Sequence, residues 1–238
     1  MNTRRKFLVQ GSMATTALLI ADPFKTFANA VSPVTGFSMD EKKVVLLHTG
    51  NYSDTQQRLA ATQISALKKN TGNLLLVHAG KKSVANSMLL NYDASIHSDS
   101  SIYSQYQVIY KGDIKIGIIK ALETEKDLLN TMNSLSTYLK KEKKCQLVVC
   151  LSQLGYKNKF SLDDLKLAEN SSHIDIIITG HATNYPKHPM IVHNSNKEEV
   201  IIDCSTGNGY ALGNIEISFD NKLNKKFIDF NNLLTRIA

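Results

Sequence analysis

The chain has 238 residues, a formal net charge of +7 and three cysteines. That length suits one domain with a sizeable core. Cys145, Cys150 and Cys204 are too few for a complete disulfide framework, no C-x-x-C zinc spacing is present, and no nucleic-acid motif accompanies the basic excess.

Residues 1–30 read as a leader. Arg4, Arg5 and Lys6 open it, an apolar and small-residue run follows through Met13 to Ala21, and Ala28-Asn29-Ala30 closes it. Basic start, apolar middle and A-x-A ending are the marks of a secretory signal peptide. Thr3 to Leu8 resembles the twin-arginine export signal. The alternatives are an ordinary secretory signal with a chance arginine pair, or an uncleaved anchor. The apolar middle is shorter than the roughly 20 residues of a membrane span. The expectation is an exported protein, periplasmic or extracellular, whose domain occupies residues 31–238 with no membrane span after cleavage. Arg4, Arg5, Lys6 and Lys25 stand against the single Asp22, so much of the net charge belongs to the leader.

Beyond it, short apolar runs alternate with helical patterns, which predicts α/β layering. Val44 to Leu47 is a strand ending at His48-Thr49-Gly50. Asp54 can cap the helix that follows, with Leu59, Ala60, Ile64 and Leu67 near one face and Gly72 as its stop. Leu74 to Val77 is a second strand, ending at His78-Ala79-Gly80. Residues 81–104 are polar and weakly periodic, mostly loop, with room for a short helix near Met88.

Tyr106 to Tyr110 and Ile114 to Ile119, joined by Lys111-Gly112-Asp113, form a hairpin. Thr124 with Asp127 starts a helix whose stripe is Leu128, Met132, Leu135 and Leu139. Lys140, Lys141, Lys143 and Lys144 close that helix, where cations suit the negative end of the dipole. Leu147 to Leu151 is a buried strand. Ser161 with Asp164 opens another helix through Leu165 and Ala168. Ile174 to Ile178, Met190 to His193, Val200 to Asp203 and Asn214 to Phe219 complete the strands. Cys150 and Cys204 lie in apolar runs and read as buried thiols. An oxidising compartment would permit one disulfide, and the sequence does not choose its pair.

In this order, VVLLHTGNYSD, LLLVHAGK, SMLLNYDAS, KGDIKIGII, VVCLSQLGY, DDLKLAEN, IDIIITGHATN and VIIDCSTGNGYALGNIEISFD resemble the metallophosphatase domain of 5′-nucleotidases, within the calcineurin-like metallophosphoesterases. The resemblance covers nearly all of residues 31–238 and is shortened around Asn91 to Ser95. It implies a four-layer α/β/β/α sandwich whose strand ends aim loops at two divalent metals, which activate a water and neutralise a phosphate.

The family's ligand positions are mostly altered here. Its first loop, H-T-N-D-x-H, falls on His48-Thr49-Gly50-Asn51-Tyr52-Ser53, so Asn51 and Ser53 replace an Asp and a His. Its bridging Asp falls on Lys81, which sets an ammonium where two dications would sit. That repulsion is on the order of several kcal/mol. The G-N-H loop falls on Ser98 to Ser101, with Asp99 in the place of the ligand Asn and Ser100 in the place of the catalytic His. Gln153 replaces a ligand His, and in the last loop His181 is kept while Thr183 replaces its partner. This is not the convergent set of carboxylates and imidazoles that such metals need. The resemblance therefore implies no metal cofactor and a vacated site at Asn51, Ser53, Lys81, Asp99, Ser100, Gln153, His181 and Thr183.

Two readings follow. The first is a non-catalytic binding or partner subunit, with any nucleotide-binding or catalytic half on a separate polypeptide. The family's nucleoside-gripping second domain has no room after Phe219 in this sequence. The second is a residual phosphoester hydrolase with an improvised or single-metal site, His181 acting as ligand or general acid and His48 or His78 assisting.

Overall fold

The computed structural model describes residues 42–50, 54–80, 92–96, 106–122, 127–158, 161–180, 185–186, 188–204 and 212–230, and excludes the side chains of 54–60. The leader and the loop of residues 81–91, including the helix expected near Met88, lie outside the described residues.

Two sheets form. The first runs β11-β10-β1-β2-β3, built from β1 (Lys42–Thr49), β2 (Leu74–His78), β3 (Ala94–Ser95), β10 (Gly213–Phe219) and β11 (Lys225–Phe230). The second runs β4-β5-β6-β7-β9-β8, built from β4 (Tyr106–Lys111), β5 (Ile114–Ala121), β6 (Leu147–Ser152), β7 (Ile176–Thr179), β8 (Met190–His193) and β9 (Glu199–Asp203). Strands β1, β2 and β3 are mutually parallel, as are β5, β6, β7 and β9; β10, β11, β4 and β8 are antiparallel to their neighbours.

Strand alternation assigns the layers. Val44, Leu46, Leu75 and Val77 of the first sheet meet Ile116, Ile118, Val149, Leu151, Ile176 and Ile178 of the second in one apolar core between the sheets. The alternate set, Val45, Leu47, Leu74 and Leu76, faces Ile64 and Leu67 of α1 (Asp54–Asn70). On the far side, Ile119, Val148, Cys150, Ile177 and Ile202 pack against Leu128, Met132 and Leu139 of α2 (Leu128–Lys141) and Leu167 and Ala168 of α3 (Asp164–Asn170). The result is the α/β/β/α sandwich. Parallel strands buried on both faces read as continuous apolar runs, as LVVCL and IIIT do. All three cysteines are buried, and they form no disulfide with one another. Among the described residues no helix is long and apolar enough to cross a membrane.

Five local details differ from expectation. Strand β11 and the two-residue β3 were not expected. Helix α2 begins after Asp127, which takes a left-handed conformation (φ 55°), makes no side-chain cap, and instead accepts from the Asn130 amide. Helix α3 is capped by Asp163, whose carboxylate accepts from Lys166 N at 2.8 Å; Asp164 is already helical and buried. Asp54 is likewise the first helical residue.

Candidate functional site

The parallel strands of both sheets run the same way, so their C-terminal ends share one rim, the place where ligands meet open α/β sheets. Three backbone segments are pressed together there. A Cβ added to Gly180 would lie 1.7 Å from the Ala79 carbonyl oxygen, and one added to Gly80 would lie 2.8 Å from the Gly50 carbonyl. No side chain larger than hydrogen fits at either position. Gly50, Gly80 and Gly180 immediately precede Asn51, Lys81 and His181, so the chain enters those three segments from one point.

Beneath the rim, the last residues of the strands form three polar clusters, one per interface. Between the sheets, His48 Nε2 donates to Asp203 Oδ2 at 2.9 Å, both side chains being buried. Alternation puts both on the inner faces, continuing Val44 and Leu46 on one strand and Ile201 on the other. Asp203 Oδ1 accepts from Cys204 N at 2.7 Å, and His48 Nδ1 has no partner among the described residues. The ring lies over Gly213, where a Cβ would come within 2.1 Å of Nε2.

On the α1 side of the first sheet, the Thr49 hydroxyl lies 2.8 Å from His78 Nδ1 and 3.0 Å from the Tyr92 hydroxyl. The His78 and Tyr92 rings sit 5.1 Å apart. Burial pushes the Tyr92 phenol up to about 12, with Thr49 acting the other way.

On the α3 side of the second sheet, Ser152 donates to Asp164 Oδ1 and accepts from Leu154 N at 3.1 Å. Burial raises the Asp164 carboxyl to about 7; the hydroxyls of Ser152 and Thr179 lower it, and neighbouring Asp163 adds to the rise. Tyr185 is buried nearby, its phenol pushed up first by burial and then by the carboxyls of Asp164 and Asp203 and the Cys204 thiol.

Of the eight vacated-site positions, Gln153 is described. It follows the last residue of β6, is half-buried, and donates its backbone N–H to the Ala121 carbonyl at 3.1 Å. Asn51, Ser53, Lys81, Asp99, Ser100, His181 and Thr183 lie outside the described residues. The improvised set fares differently. His48 and His78 end neighbouring strands but face opposite sides of the sheet, His48 inward to Asp203 and His78 outward to Thr49. They do not converge. Among the described residues no three of His, Cys, Asp and Glu form a group able to hold a metal ion.

Sequence reading did not single out Asp164, Asp203 or Tyr92 for this rim. The signal for Asp203 was present, an acidic residue closing the apolar run Val-Ile-Ile at the rim end of a strand, as His48 closes Val-Val-Leu-Leu.

No family model matches the chain, and no curated protein matches it. Solved structures do. A 5′-nucleotidase precursor from Thermus thermophilus superposes with a TM-score of 0.61 at 18% identity, over 81% of this chain and 54% of that one. The NAD nucleotidase of Haemophilus influenzae superposes with a TM-score of 0.62 at 13% identity, over 80% of this chain and 55% of that one. The chain thus spans little more than half the length of either.

Proposed function

Taking as premise that this chain has the metallophosphoesterase fold of the 5′-nucleotidases, we propose that it is an exported, non-catalytic binding or partner subunit. The observation that carries this reading is the residue chemistry at the family's ligand positions. Asn51, Ser53, Lys81, Ser100, Gln153 and Thr183 stand where the resemblance places metal ligands and a catalytic His, while the strands and helices beneath them keep their apolar faces. Two-metal hydrolysis needs carboxylates and imidazoles to hold the cations. A lysine in place of the bridging carboxylate opposes them.

The alternative, a residual hydrolase, has His181 as ligand or general acid with His48 or His78 assisting. His48 and His78 face opposite sides of the sheet, which weighs against both acting at one point, and one general acid supplies about 10² to 10⁴-fold, far below what phosphate esters require. Export is supported by the basic, apolar and A-x-A order of residues 1–30. The resemblance places the vacated site around Asn51, Lys81, Gln153 and His181, and that is where a ligand or partner group would seat.

The test is metal content and phosphatase activity on one purified preparation. The protein is dialysed against manganese, zinc or calcium and assayed with a phosphodiester, a phosphomonoester and a nucleotide. Folded protein with neither bound metal nor turnover is the expected result. Near-stoichiometric metal with turnover that His181→Ala abolishes would overturn it.

A further inference from the structure

The outer face of the second sheet at β4 and β5, beside the end of α2, carries an aromatic and basic surface separate from the three rim clusters. Tyr106 and Tyr110 share the outer face of β4 with alternate residues of β5, and Tyr110 pairs across the ladder with Lys115. The Lys115 ammonium lies 5.6 Å from the Tyr110 ring centre. Tyr138, in the last turn of α2, meets Tyr106 edge-on with centroids 5.6 Å apart, and Lys143 lies 5.3 Å from the Tyr138 ring. These are favourable cation–π and T-shaped contacts, so the rings are held in place before any partner arrives.

Among the described residues the surface is open and most of its lysines are unpaired. Tyr110 is 63% exposed and Tyr138 37%, two of the four exposed large hydrophobic side chains among the described residues. The other two, Ile191 and Phe227, stand on β8 and β11. Lys115, Lys141, Lys143 and Lys144 make no ion pair with a described carboxylate; Lys140 is taken by Asp175, and Glu142 is the single acid between Lys140 and Lys144. The ladder places Tyr110 and Lys115 at the start of β5, about 20 Å from the rim at the 3.3 Å rise of a strand.

We propose that this face of β4, β5 and the end of α2 docks an acidic segment of a partner protein, its carboxylates on Lys115 and Lys143 and its apolar side chains on Tyr106, Tyr110 and Tyr138. Tyrosine is enriched where proteins bind one another, because it offers wide contact area at little entropic cost. A nucleic acid fits less well. The patch holds no arginine, and its rings lean edge to face rather than forming an open stacking platform. A membrane fits less well too, since no described Leu, Ile, Phe or Trp projects from this face to enter lipid. The inference goes beyond the proposed function and is independent of what the rim binds.

The experiment titrates the purified protein into a fluorescent dodecapeptide alternating Glu or Asp with Leu. Parallel titrations use the same peptide with Gln and Asn for its acids, an oligo-dT, and vesicles containing phosphatidylglycerol. Expected is micromolar, salt-sensitive binding to the acidic peptide, with amide shifts mapping to β4 and α2. Tyr110→Ala and the pair Lys115→Glu with Lys143→Glu each weaken it at least about tenfold. Lys222→Glu, exposed on the β10–β11 turn, leaves it unchanged. The proposal is overturned if the acidic peptide does not bind, if the uncharged peptide binds as tightly, if Lys222→Glu weakens binding equally, or if only the oligonucleotide or vesicles bind. Thermal melts check folding, and Tyr110→Ala, which removes an exposed ring, stands if the charge-reversed pair does not fold.

Discussion

Asp175 and Asp164 are both buried aspartates beside β6 and β7, and they sit at opposite ends of those strands. At the base, Asp175 accepts from Lys140 Nζ at 2.7 Å, Lys225 Nζ at 2.9 Å and Val148 N at 2.7 Å, tying α2, β11 and β6 to one carboxylate. Burial alone would raise its carboxyl; the two lysines outweigh burial and hold it below the ordinary range. At the rim, Asp164 meets hydroxyls and, among the described residues, no cation, and burial pushes it to about 7. Asp175 at the base is held by compensating charge, and Asp164 at the rim by hydroxyl hydrogen bonds.

The largest expected effect comes from breaking the base. Asp175→Ala strands two half-buried ammonium groups, and removing one side of such a network costs about 4 kcal/mol, or about 10 °C in Tm for a domain of this size. In the unaltered protein this stabilisation is fully present above the ordinary carboxylate value of about 4 and is lost as pH falls through the depressed value. Calorimetry across acid pH checks both points.

Next comes Gly180→Ala, at about 3 kcal/mol, because the new methyl must displace the Ala79 carbonyl where the two sheets meet. A melt lowered by less than a few degrees would show that the rim is looser than the base.

Asp164→Asn sharpens the contrast through the sign of its pH dependence. A carboxyl raised to about 7 in the folded state makes folding take up a proton between about pH 4 and 7, so stability falls across that window and is flat above it. Asn keeps an acceptor for Ser152 and does not ionise. The variant should lack that slope and be more stable than the parent at pH 8 by about 2 kcal/mol. An unchanged slope would assign the effect to another group.

The smallest effect is expected from the inter-sheet pair. A double-mutant cycle of His48→Phe and Asp203→Asn should return a coupling of about 1 kcal/mol, since both groups stay buried and each retains other contacts. A coupling near zero would reduce His48 to a space-filling ring over Gly213.

Much of the fold was legible because its signals are local. Apolar runs such as IIIT and the two-residue turn of Lys111-Gly112-Asp113-Ile114 announce buried strands and a hairpin within a few residues. Strand β11 escaped because KKFIDF is a short edge strand in which apolar Phe227, Ile228 and Phe230 give no clean alternation, and only pairing with β10 turns Ile228 and Phe230 onto the core. The capping details slipped by one position: Ser161, Asp163 and Asp164 all suit a helix start, and the helix register chose Asp163 for the cap, which turned Asp164 inward to Ser152.

The sequence by itself determined the order of strands and helices, which face of each is apolar, and that Asn51, Lys81 and Gln153 are not the carboxylates and imidazole of a two-metal site. All of these depend on residue identity and short-range period. The tertiary structure alone decided the polar partners at the rim: that His48 meets Asp203, 155 residues away, and that His78 turns to Thr49 instead of joining it. Side chains alternate across a sheet, so two histidines closing neighbouring strands one register step apart end on opposite faces. That step belongs to the pairing of the strands, which no single strand's sequence contains.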